Sequence, residues 1–148
     1  MVDRISRDRA ALLLRRFAAS RISNDDFVDA YPSASPDPAI RVVHDRSWAL
    51  YSDLWTHYLH AQPALRHEIA RWVLFLASDV EYTWPRFRYI RLGIPRWLNW
   101  LSCGALQAWQ DRPFERFAAC GDIAVWPFRS QSEFLAACES PRFLKGRP

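Results

Sequence analysis

Ten prolines punctuate the chain, and their positions constrain its fold more than any other feature. A proline inside a helix removes a backbone donor and clashes with the preceding turn, at a cost of about 3 kcal/mol; in a sheet it is confined to edges and strand ends. Three prolines fall within PSASPDP, 32–38, which therefore continues neither neighbouring helix. Pro63, Pro85, Pro95, Pro113 and Pro127 divide the remainder into short pieces. At a first helical position the missing donor costs nothing, so Pro38, behind the capping residue Asp37, and Pro63 mark helix starts.

Between these breaks the apolar residues recur with a helical period. From Asp3 to Ala19, Ile5, Leu12, Leu13 and Phe17 fall on or near one face, with Arg7, Arg15 and Arg16 largely elsewhere. Ser23 with Asp26 caps a second helix carrying Phe27 and Tyr31, which Pro32 stops. The stretch LLLRRFAASRISNDDF, Leu12 to Phe27, resembles the short helical modules called SHOCT, in which a helix ends near a glycine and an Ile-Thr/Ser plus acidic-Phe element follows. Here Ser20 stands where glycine would be comfortable.

Ile40, Val43, Ser47, Leu50, Leu54 and Tyr58 extend a third helix from Pro38 to about His60, and Trp48, Tyr51 and Trp55 form an adjoining aromatic row. Leu65, Ile69, Trp72, Val73 and Leu76 mark a fourth, expected to lie antiparallel to the third and to drive its wholly apolar end, Trp72 to Ala77, into the centre of the core. A buried strand is the competing assignment for that end. Beyond Pro85, RFRYIRLGI alternates like a strand, and Trp97, Trp100, Leu101 and Trp109 mark a helix that Asp111 to Pro113 should end. A helical turn around 114–119, a strand-like 123–128 and a helix capped by Ser130 and Glu133 complete the reading. The expected fold is mainly α: a compact helical domain with a minor two-stranded or extended element from 86–92 and 123–128, with α+β as the alternative. Residues 1–148 form a single domain, with an N-terminal helical hairpin at 1–31, the proline-rich loop at 32–38 and the main core at 39–148.

With 148 residues, 50% hydrophobic and 24% charged, the chain has the make-up of one globular domain and excludes collagen-like or disordered classes. The apolar run Trp72 to Ala77 is far short of the roughly 20 residues of a membrane span, so no membrane partner is expected. The first residues show no long apolar region of a secretion signal. Cys103, Cys120 and Cys138 make neither a CxxC pair nor an even disulfide framework, and a cytoplasmic setting is expected.

The strongest metal pattern is Asp53, His57 and His60, placed i, i+4 and i+7, with His67 beyond. A solvated helix face gives the same spacing, so the expectation is no metal and no cofactor. Asp79 and Glu81, or Asp111 and Asp122, offer carboxylates for acid–base work, but an end-of-helix Asp79 and an arginine-paired Glu81 account for the first two; no catalytic residue is assigned. Cys103 has no identifiable histidine partner. Gly93, Gly104, Gly121 and Gly146 are too scattered for a phosphate-binding loop.

The net charge is +4, and of 20 basic residues all but Lys145 are arginine. Arg86, Arg88, Arg91, Arg96 and Arg112 face only Asp111 within 84–112, and WPRFRYIR interleaves guanidinium groups with rings. Eight tryptophans exceed what a core of this size requires, and Trp, Tyr and Arg are the side chains of interface anchors. The leading expectation is a non-enzymatic protein-binding module, an adaptor or regulator, using Trp84, Arg86, Arg88, Arg91, Arg96, Trp97 and Trp100. Its partner is another protein or a second copy. The alternatives are a small metal-dependent or acid–base enzyme and a weak nucleic-acid-binding protein.

Overall fold

Caps and prolines set the helix starts in the computed structural model, which describes residues 1–85, 100 and 105–140, with backbone alone for 105–110. Helix α1 spans Arg4–Ala18 behind Asp3, whose carboxylate accepts the Ser6 N–H at 3.1 Å. Helix α2 spans Asn24–Ala30 behind a reciprocal capping box: Ser23 Oγ accepts the Asp26 N–H, and the Asp26 carboxylate accepts the Ser23 N–H. Helix α3, Pro38–Ser47, starts at Asp37 and Pro38, and α4, Pro63–Ala77, starts at Pro63. Helix α5 spans Ala105–Ala118 and α6 spans Gln131–Glu139. Among the described residues the molecule is mainly α-helical with no strand; a single antiparallel bridge joins Ser23 and Tyr58. No described helix is long and apolar enough to cross a membrane.

The core lies between α1 and α4, and α2, α3 and the 125–128 segment close over it. Leu14 and Phe17 of α1, Trp72, Phe75 and Leu76 of α4, and Ile40 and Val43 of α3 have no exposed surface. Phe17 stacks on Phe27 with ring centroids 4.8 Å apart, and Phe75 meets Phe128 edge-on at 5.0 Å. The apolar end of α4 thus enters the centre of the core as a helix. Its principal neighbour is α1, however, and α3 is only a minor one.

The α1 stripe differs from the expected one. Ile5 is exposed, and the buried face is Arg7, Ala10, Ala11, Leu14 and Phe17, with Leu13 beside it. Arg7 can occupy it because four of its N–H groups are taken. Its Nε and Nη2 bond the two carboxylate oxygens of Asp37 at 2.6 and 3.1 Å, and its Nη1 bonds the carbonyls of Ser78 and Val80 at 3.2 and 2.7 Å. Arg4 adds bonds to the Leu76 and Ser78 carbonyls and an ion pair to Asp79. The start of α1 therefore caps the carbonyl end of α4, where positive charge is favoured, and the two helices run antiparallel.

Three further expectations are corrected. Helix α3 ends at Ser47, not near His60, and Trp48–Leu50 forms a single 3₁₀ turn before irregular chain to Gln62. Helix α5 continues through Pro113, where a stop was expected. The 123–128 segment is not strand-like: Ile123–Val125 is a 3₁₀ turn capped by Asp122, and the Trp126–Pro127 bond is cis. Its proposed pairing partner, 86–92, lies outside the described residues. The Ser130 cap of α6 forms, but the Glu133 carboxylate reaches the Arg129 N–H at 2.8 Å. Ser20 closes the α1–α2 turn at φ 55°, the left-handed region that favours glycine, and its hydroxyl donates to the Leu59 carbonyl at 2.5 Å.

Candidate functional site

The irregular segment that follows α3 is built on one buried side chain. Asn24, 1% exposed at the start of α2, donates from its amide to the carbonyls of Ser52 (3.0 Å) and Trp55 (3.2 Å). Its Oδ1 accepts the His57 N–H at 2.7 Å, and its own backbone N–H donates to the His57 carbonyl at 3.0 Å. A helix would satisfy these backbone groups internally; here α2 satisfies them instead, so the chain has a specific alternative to continuing α3. Thr56 adds a bond to the Asp25 carboxylate, and Ser20 holds Leu59 from the other side.

The backbone of 48–58 is fastened inward while its large side chains face out. Leu54 is 83% exposed, Trp55 61%, Trp48 56% and Tyr58 53%. Trp48 donates its indole N–H to the Asp53 carboxylate at 2.9 Å, and the Trp55 ring sits 6.4 Å from the His57 ring. Tyr51, in the same segment, instead turns inward and meets Phe17 edge-on at 5.8 Å. The aromatic row of the sequence is thus divided between core and surface. Its exposed members sit on a loop rather than on a helix face.

That loop also dissolves the metal pattern, since Asp53, His57 and His60 have no common helical face once 51–62 is irregular. Asp53 accepts from Trp48, and His57 Nδ1 lies 2.9 Å from the Trp55 carbonyl. Among the described residues no three His, Cys, Asp or Glu side chains converge. Of the proposed carboxylate pair, Asp79 takes Arg4, while Glu81 takes the Met1 amino group at 3.1 Å and no arginine among the described residues. Buried titratable groups are committed to structure. Burial alone would raise the Asp37 carboxyl, yet hydrogen bonds from Arg7 and from the Asp3 and Ala39 N–H groups, with the Arg7 charge, hold it below the usual range. Burial pushes the Tyr31 hydroxyl well up, with Asp45 and Asp37 adding to it, and that hydroxyl donates to the Ile40 carbonyl at 3.0 Å.

Of the seven residues expected to form a binding surface, Trp84 is buried. Its indole N–H donates to the Pro127 and Phe128 carbonyls at 3.1 and 3.2 Å, and its ring packs on Phe117. Gly121 makes room for it: a Cβ there would lie 2.6 Å from the Arg129 carbonyl oxygen and 2.9 Å from the Trp84 ring. Trp100 is 79% exposed. Arg86, Arg88, Arg91, Arg96 and Trp97 lie outside the described residues. The loop aromatics were visible in the sequence as a row. The signal that they leave the helix was Ser52-Asp53, a turn-forming pair among rings and a threonine that are weak helix formers.

Fold and site together define a small, mainly α-helical, aromatic-rich domain with a fastened aromatic loop. Comparison with known proteins found no matching family model, no matching curated protein and no matching solved structure.

Proposed function

We propose that this chain is a protein-binding module, an adaptor or regulator, whose anchor surface is the 48–58 loop. The observation that carries the reading is the exposure of Trp48, Leu54, Trp55 and Tyr58 on a backbone tied to the buried Asn24. Large rings left in water give up the stabilisation that burial would bring, and tryptophan and tyrosine lose little side-chain freedom when a partner covers them. A loop already held by α2 loses little more on binding, so most of the gain from burying its rings appears as affinity. Asp25 and Asp53 at its edge supply the polar rim that protein interfaces carry.

A photo-crosslinking residue at position 54, the most exposed of the loop's large apolar side chains, tests this in living cells. The expected result is one discrete adduct, with Trp55→Ala weakening association with that captured protein about thirtyfold, the equivalent of about 2 kcal/mol. Because Trp55 is exposed, the same change should alter unfolding free energy by no more than about 0.5 kcal/mol. A smear of adducts, or one discrete adduct indifferent to Trp55, would sink the reading.

A further inference from the structure

The outer faces of α1 and α4 leave an open groove of about 730 Å³ between them. Its two walls repeat one spacing. On α1 and its C-terminal cap Ala19 the wall includes Leu12, Arg15, Arg16 and Ala19, at i, i+3, i+4 and i+7, with Ala18 and Arg21 also lining it. On α4 the same positions are Arg66, Ile69, Ala70 and Val73. Two antiparallel helices with such stripes present what a bundle offers to a third helix, here over seven residues, or about 10 Å. Leu12 and Val73, both half-buried, and Ile69, which belongs to the core at 2% exposed, make an apolar floor, and the small Ala19 and Ala70 leave room for a close backbone approach.

The charge around this floor is of one sign. Arg15, Arg16, Arg21 and Arg66 line the groove, and no acidic residue does so among those described. Arg15, Arg16 and Arg21 make no ion pair with described residues, whereas Arg4 and Arg7 are fully engaged elsewhere. Arg15 and Arg16 suit the last turn of α1, where the helix dipole favours cations. Arg66 lies near the start of α4, where the dipole disfavours one, and no acidic residue in that first turn offsets it. Its Nε donates to the Ala61 carbonyl at 3.0 Å, which holds the guanidinium beside the groove, and a bound anion would offset its position at the helix start.

We propose that the groove takes an amphipathic acidic helix of a partner protein, its apolar face on Leu12, Ile69 and Val73 and its carboxylates on the four arginines. This is helix-in-groove recognition with charge complementarity at the rim. Nucleic acid fits less well because none of the described residues that line the groove offers an aromatic ring for bases to stack on. A membrane surface fits less well because the apolar residues lie in a recess, whereas interfacial helices project theirs. The groove shares no residue with the aromatic loop, so either site can fail without the other.

The probe is a fluorescein-labelled synthetic helix of about four turns, leucine at i, i+3, i+4 and i+7 and glutamate on the flanks, with a control carrying lysine for every glutamate. At about 0.15 M salt, anisotropy should show the acidic peptide binding with Kd below about 100 µM and the lysine peptide at least about tenfold more weakly. Arg15→Glu with Arg66→Glu should weaken the acidic peptide at least about tenfold, while Arg41→Glu, on the exposed part of α3 outside the groove, should change it less than about threefold. Ala70→Gln, a helix-compatible change at an exposed position, obstructs the groove without altering charge and should also weaken binding at least about tenfold. It supplies the answer if the double reversal fails to fold. No binding of the acidic peptide, equal binding of both peptides, or indifference to Ala70→Gln would overturn the proposal. So would tighter binding of an oligothymidylate or of phosphatidylserine vesicles through the same arginines.

Discussion

Arg7 joins three segments far apart in the chain: its own helix, the Asp37 cap of α3 and the carbonyls after α4, with its guanidinium 5.4 Å from the Phe75 ring centre. Arg7→Met keeps the apolar stem and leaves Asp37 buried without its cation, a loss of the kind that costs about 3–5 kcal/mol. The pH dependence identifies the cause. A carboxyl held low in the folded state, as Asp37 is, contributes stability that is full above its unfolded value near 3.9 and is lost as pH falls through the lower folded value. Without Arg7 burial dominates, the folded carboxyl rises, and protonation favours the fold. Urea unfolding should therefore show the Arg7→Met penalty largest near neutral pH and smaller at about pH 4. A penalty unchanged with pH would mean that Arg7 acts through packing alone. A helical wheel could not reveal this residue, because its charge is acceptable in the core only through an aspartate 30 positions away.

Helix starts were legible because a cap, a proline and a few apolar positions act within one turn: Asp3, Ser23 with Asp26, Asp37 with Pro38, and Pro63 all stand where the sequence puts them. Helix ends were less so. Apolar period continues past Ser47 to Tyr58, yet Ser47 donates to the His44 carbonyl at 2.8 Å and Asn24 takes up the backbone groups beyond. The competing partner comes from α2 and has no local mark at position 47. Pro113 gives the opposite error, a strong local stop inside a helix whose Phe117 packs on Trp84. The exposed aromatic loop was legible as composition but not as geometry, since the same row of rings serves equally as a core stripe. Asn24→Ala tests its foundation. It leaves the Ser52 carbonyl and the His57 N–H without the Asn24 amide and the Trp55 carbonyl with only His57 Nδ1, at roughly 1–3 kcal/mol, and should speed hydrogen exchange at His57 and its loop neighbours more than in α4. Uniformly faster exchange would place Asn24 in the global core, and none would remove it as the loop's anchor.

At the scale of the molecule, the core does not follow the division of the chain at the proline-rich loop. Leu14, Phe17 and Phe27 come from before it and pack with Ile40, Phe75 and Phe128 from after it. Each such side chain contributes about 1.5–3 kcal/mol by burial, and a domain of this kind has only about 5–15 kcal/mol in total. Removing residues 1–31 also uncovers the Leu76, Ser78 and Val80 carbonyls and leaves Asp37 unpaired. Phe75, fully buried in the intact chain, would also lose the Arg7 guanidinium that lies over its ring. A fragment of 32–148 should therefore show no cooperative thermal transition by circular dichroism, and should regain one when a 1–31 peptide is added, with a midpoint that rises with peptide concentration as ligand-linked folding requires. A fragment that melts cooperatively alone would show that α3, α4 and the segments after them hold a sufficient core, and that α1 is an addition to the fold rather than half of its centre.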